Sequence, residues 1–124
     1  MTLEELASAS GLSPEGVLEV QEYGLLSPSV VAAGTPYYDE EALTVATLVA
    51  GFARFSVTPR HLRLYRNAAD REAGLVEQVV LPLLRQRNPE ARGRAADTVA
   101  EMTRLGQGLH AALLRRAFRD LLGP

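Results

Sequence analysis

The sequence predicts a mainly α-helical protein: a winged helix-turn-helix-like domain with a small β-wing, followed by long C-terminal helices. Three observations carry that expectation. Polar capping residues recur along the chain, each followed by a proline or by acids. One stretch, 27–38, gathers β-branched and aromatic residues around a turn. The last third carries an apolar stripe with a spacing of about 3.5 residues. Hydrophobic residues make up 47% of the 124 residues, so a chain of this length can bury a real core.

Each element follows from local signals. Thr2 and Glu5 have the spacing of a capping box and start a helix over 3–10, which stops at Gly11. Ser13-Pro14-Glu15 starts a second helix over 14–23, ended by Gly24. Val30-Val31, the turn Ala32-Ala33-Gly34 and Tyr37-Tyr38 give two short strands, the wing. Asp39-Glu40-Glu41 opens a third helix over 40–54, with acids in its first turn. Thr58-Pro59-Arg60 opens a fourth, reaching about Asn67. A further helix over about 70–86 is either separate or continuous with it, and Pro82 is a candidate break. Asn88-Pro89-Glu90 opens the last helix, over 89–122. Its stripe is Ala95, Val99, Met102, Leu109, Leu113, Ala117 and Leu121, with Gly106 on the same seam. Such a seam calls for a helix partner, in the same chain or in a second subunit. The expected organisation is a winged-helix module over 1–67 and a helical dimerisation and regulatory segment over 68–124.

Charge is divided unevenly. Residues 1–53 hold eight acids and no Lys, Arg or His, while residues 54–124 hold all thirteen Arg against seven acids. Cysteine is absent, which excludes disulfides, thiolate metal sites and cysteine nucleophiles. Glu4 and Glu5 stand where a signal peptide would be basic, and no apolar run nears the roughly 20 residues that span a bilayer. A cytoplasmic protein with no membrane partner is expected.

Candidate sites fall into four groups. Tyr23, Tyr37, Tyr38, Phe52, Phe55, His61 and Tyr65 are candidates to line a small-molecule effector pocket, or else to form core. Glu15, Glu19 and Glu22 make an acidic face on the second helix for a basic partner, with Arg60, Arg63, Arg66 and Arg71 as possible counterparts. Arg60, Arg63, Arg85, Arg87, Arg92 and Arg94 are candidate contacts to DNA phosphates or an acidic partner, or simply cations near helix ends. The fourth group is the dimerisation seam. His61 and His110, the two histidines, lie far apart, so no metal site is expected. No nucleophile signature or phosphate-cradling loop is present, so neither an enzyme nor a cofactor is expected.

The order helix, turn, helix, Gly24-Leu25-Leu26-Ser27-Pro28, wing, Tyr37-Tyr38-Asp39-Glu40-Glu41-Ala42-Leu43, helix resembles the MerR family of bacterial transcription regulators. Leu6-Ala7, Gly11-Leu12-Ser13, Gly34 and Phe55-Ser56-Val57-Thr58-Pro59 add to the likeness, which covers about residues 2–66. The resemblance implies a winged-helix regulator that acts as a dimer on operator DNA, with the last helix in the place of the family's dimerisation helix. At the DNA-facing positions the chain departs from the pattern. Glu15 and Leu18 stand where the family's recognition helix commonly carries Arg, Ala32-Ala33-Gly34 forms the wing tip, and Pro36 replaces a further Arg. The closest likeness is therefore to a second, degenerate winged-helix copy in the C-terminal region of actinobacterial MerR-like regulators. That implies a homodimerising regulatory domain, with DNA bound through a separate N-terminal domain. The alternatives are a complete small regulator that binds DNA through its Arg-rich second half, and a protein-interaction module that uses the acidic helix.

Overall fold

The computed structural model describes residues 1–123. The elements in chain order are α1 (Leu3–Ser10), α2 (Pro14–Glu22), β1 (Val30–Ala32), β2 (Thr35–Tyr37), α3 (Glu40–Ala53), α4 (Pro59–Leu84) and α5 (Pro89–Leu122). The chain is mainly helical with one two-stranded sheet and long C-terminal helices, as the sequence predicts. It divides into two compact units, residues 1–70 and residues from 71 onward, and α4 contributes to both.

The helix starts are built largely as their sequences indicate. The Thr2 hydroxyl accepts from the Glu5 amide while the Glu5 carboxylate accepts from the Thr2 amide, a complete capping box. Ser13, Asp39 and Asn88 each accept a backbone N–H three residues on, at 2.8–3.0 Å. Thr58 differs. Its hydroxyl lies 3.1 Å from Nδ1 of His61, and the same ring nitrogen accepts the Thr58 amide. A histidine at the third helical position thus takes the place that Glu or Gln holds in a capping box.

Pro82 does not divide the helix: α4 runs unbroken from Pro59 to Leu84. The reason is position. A proline removes the bond to the carbonyl four residues back, and in the last turn that costs little continuity. The helix ends just beyond it, with Arg87 in the left-handed region at φ 52°.

The wing is an antiparallel hairpin with Val30 opposite Tyr37 and Ala32 opposite Thr35. Its two-residue turn has both central residues at positive φ, Ala33 at 51° and Gly34 at 81°, the signature of a type I′ turn. Backbone bonds between Met1 and Tyr38, 2.7 Å and 2.9 Å long, tie the start of the chain to the wing's exit.

The core of the first unit collects Leu6 and Ala7 from α1, Val17 and Val20 from α2, Ala42, Ala46 and Val49 from α3, and Leu62 from α4, with Leu26 and Tyr38. Small residues where α1 meets α3 let the two helices approach closely. Ser10 is buried among them. Its hydroxyl donates to the Ala7 carbonyl and accepts from the Leu12 amide, so the burial leaves no polar atom unpaired. In the second unit the buried residues are Val80, Ala91 and Ala95.

Candidate functional site

The second helix and the wing are where a winged helix meets a ligand surface, and here they are acidic and apolar. Glu15, Glu19 and Glu22 are all exposed, and Leu18 beside them is 49% exposed. Val30, Val31 and Tyr37 expose further apolar area on the hairpin. The only ion pairs among the described residues are Arg66–Asp70 and Arg104–Glu101, so the acids of α2 are not neutralised by the arginines expected to face them. Of those arginines, Arg63 lies over the Tyr23 ring at 5.4 Å and Arg66 pairs with Asp70. Arg60 is exposed.

The seven candidate pocket residues do not form one site. Phe52 and Tyr65 come together, with ring centroids 5.7 Å apart, and line a cleft of about 610 Å³ between α3 and α4. The other five lie elsewhere. Tyr38 is buried in the core, where its hydroxyl donates to Oε1 of Gln21 at 2.6 Å and burial pushes the phenol above its ordinary pKa. Tyr37 is exposed on the wing, and Phe55 is exposed beneath the Arg54 guanidinium. Tyr23 carries Arg63, and His61 is occupied in capping α4. The cleft is also lined by Leu25, Val45, Leu48, Val49, Leu62 and Ala69, together with Gly24, Arg66 and Asp70.

The second unit shows a different surface. The second half of α4 and the middle of α5 enclose an apolar groove of about 530 Å³ lined by Leu75, Val76, Met102, Leu105, Gly106, Leu109 and Leu113, with Arg71, Glu72 and His110. A side chain at Gly106 would overlap the Glu72 carboxylate, so the glycine of the seam meets α4 of its own chain. Ala95 is buried and Met102 half-buried, whereas Val99, Leu109, Leu113, Ala117 and Leu121 are exposed. Leu105, Leu114 and Phe118 add to the exposed face. Among the basic residues near the turn, Arg94 donates to Oε1 of Gln86, and Arg85, Arg87 and Arg92 are exposed. Within the described residues there is no grouping of His, Asp or Glu able to hold a metal, and no helix is long and apolar enough to cross a membrane.

The whole of residues 1–122 matches the family model described as "Rv1828-like, C-terminal domain". The chain belongs to that family. Two relatives are the uncharacterized HTH-type transcriptional regulators Rv1828 of Mycobacterium tuberculosis and Mb1859 of Mycobacterium bovis. Each is 36% identical over 118 residues, covering 90% of this chain and 48% of the relative. The chain thus spans about half the length of the curated relatives it matches.

In this Rv1828-like domain the least legible feature is the α3–α4 cleft. Its aliphatic walls and its arginine had no motif to mark them. One signal was present: α3, EEALTVATLVAGFA, carries charge only in its first two residues. A helix apolar on more than one face buries one and leaves another for something else.

Proposed function

We propose that this domain is the regulatory and dimerisation part of a MerR-like bacterial transcription regulator whose DNA reader is a different domain. One observation carries the reading: the helical pair of α4 and α5 leaves a long apolar face uncovered. Leu75 and Val79 on α4 and Leu105, Leu109, Leu113 and Phe118 on α5 are each 46–62% exposed. Monomeric proteins rarely leave contiguous apolar surface of that extent in water. A second copy offers the same stripe, and a two-fold interface needs only one self-complementary patch. The relatives' names supply the context, since HTH-type regulators commonly read two half-sites as dimers.

The division of charge supports the second half of the proposal. Affinity for DNA rests on cations that neutralise phosphates, and base edges of guanine are read by Arg or Lys. Neither α2 nor the wing holds a cation. The winged-helix shape therefore serves as a scaffold rather than a reading head, and the domain sets the spacing of readers joined to it.

Two measurements test this. Light scattering of the chain should give a dimer, and Leu109→Glu with Leu113→Glu should give a folded monomer. An electrophoretic shift with random duplex DNA at low salt should show no complex at micromolar protein. A shift abolished by replacing Arg85, Arg87, Arg92 and Arg94 would instead favour a complete DNA-binding regulator.

A further inference from the structure

We propose that the cleft between α3 and α4 binds a small amphipathic carboxylate, a molecule with an apolar body and one terminal carboxylate group. At about 610 Å³ the cleft falls within the range of small-molecule sites. Its body is apolar: Val45, Leu48 and Phe52 from α3 face Leu62 and Tyr65 from α4. Leu48 is 62% exposed and Tyr65 is 46% exposed, so an occupant would take substantial apolar area out of water.

Arg66 supplies the contact for the headgroup. Its guanidinium lies against the chain at Gly24, where a Cβ would fall 2.7 Å from Nη1 and 2.9 Å from Cζ. A side chain at that position would displace the guanidinium from where it lies, and Gly24 itself holds a left-handed φ of 76°. The turn after α2 thus borders the guanidinium, and Gly24 and Arg66 both line the cleft. Its ionic neighbour, Asp70 Oδ2, stands 3.7 Å from Nε, longer than a hydrogen bond. No side-chain hydrogen bond among the described residues uses Arg66, so its terminal nitrogens keep their donors. A planar fork with open donors matches a carboxylate in bidentate geometry. Asp70 sharpens the choice of anion, because a nearby negative charge penalises a dianionic head more than a monoanionic one.

This site lies wholly within residues 24–70, shares no residue with the face assigned to self-association, and does not depend on dimerisation.

The test is isothermal titration of the full chain with decanoate, decanol and decylamine, which share a body and differ in head. Decanoate should bind saturably at one site per chain, with the alcohol and the amine at least about tenfold weaker. Arg66→Gln should weaken decanoate at least about tenfold while leaving decanol unchanged. Ala69→Trp, at an exposed position on the wall, should block all three. Unchanged melting temperatures confirm that both variants fold. Equal affinity for the three heads, indifference to Arg66→Gln, or no binding of decanoate would each overturn the proposal. So would a change of oligomeric state in Ala69→Trp, which would put a second copy in the cleft.

Discussion

Ala33 holds a left-handed conformation that an L-residue with a Cβ adopts at a cost of about 1 kcal/mol or more. The hairpin imposes it, because a two-residue connection matches strand twist only as a primed turn. Ala33→Asn gives the Asn-Gly pair that such turns favour and should stabilise the domain by about 0.5 kcal/mol in urea unfolding. Tyr38→Phe removes the hydroxyl that reaches Gln21 and should cost about 1 kcal/mol in the same assay. The Glu5 carboxyl is held below its ordinary pKa by its hydrogen bonds to Thr2. Its folded value therefore lies under its unfolded value. The associated stability is present above the unfolded pKa and fades as pH falls through the folded one. The stability gap between the wild type and Glu5→Gln should accordingly narrow between neutral pH and pH 3. The Thr2–Glu5 pair was legible because a cap is a local device whose partners sit three positions apart. Thr58 was legible as a helix start, whereas the part His61 plays in that cap was not, because the residues expected at the third helical position are Glu and Gln.

At the scale of elements, α3 is the pivot of the first unit. Ala42, Ala46 and Val49 pack into the core, while Val45, Leu48 and Phe52 line the cleft. Changes on its two faces should therefore differ in kind. Ala46→Leu puts added volume into a fully buried position and should destabilise by about 1–3 kcal/mol. Leu48→Gln, on the exposed face, should stay within about 0.5 kcal/mol of the wild type while weakening any ligand of the cleft. Paired thermal melts separate the two. Capping residues and stop glycines made α1 and α2 legible, β-branched and aromatic residues around a turn marked the wing, and hydrophobic periodicity marked the seam of α5. The continuity of α4 was not legible. A proline predicts a break in a helix interior but is tolerated in a final turn, and only the end at Leu84 shows which case applies. The cleft was legible only in outline: Phe52 and Tyr65 were among the candidates, whereas Arg66 acquires its setting from Gly24, forty-two positions earlier in the chain.

Across the whole molecule, charge and apolar surface are sorted by region. The first 53 residues keep the turn and wing of a winged helix-like fold but hold eight acids and no Lys, Arg or His. The second unit keeps few buried side chains of its own and exposes a leucine-rich stripe along α5. Both features support the proposal of a domain that joins subunits together and leaves DNA to a separate domain. The salt dependence of assembly should be weak, because an apolar seam is not screened as an ion-pair interface is. Self-association through the α4–α5 face is decided by sedimentation equilibrium over a micromolar concentration series, at low and high salt. A species of twice the chain mass is expected at both salt concentrations, reduced to the chain mass by Leu109→Glu with Leu113→Glu. A monomer at every concentration would rule the dimer out.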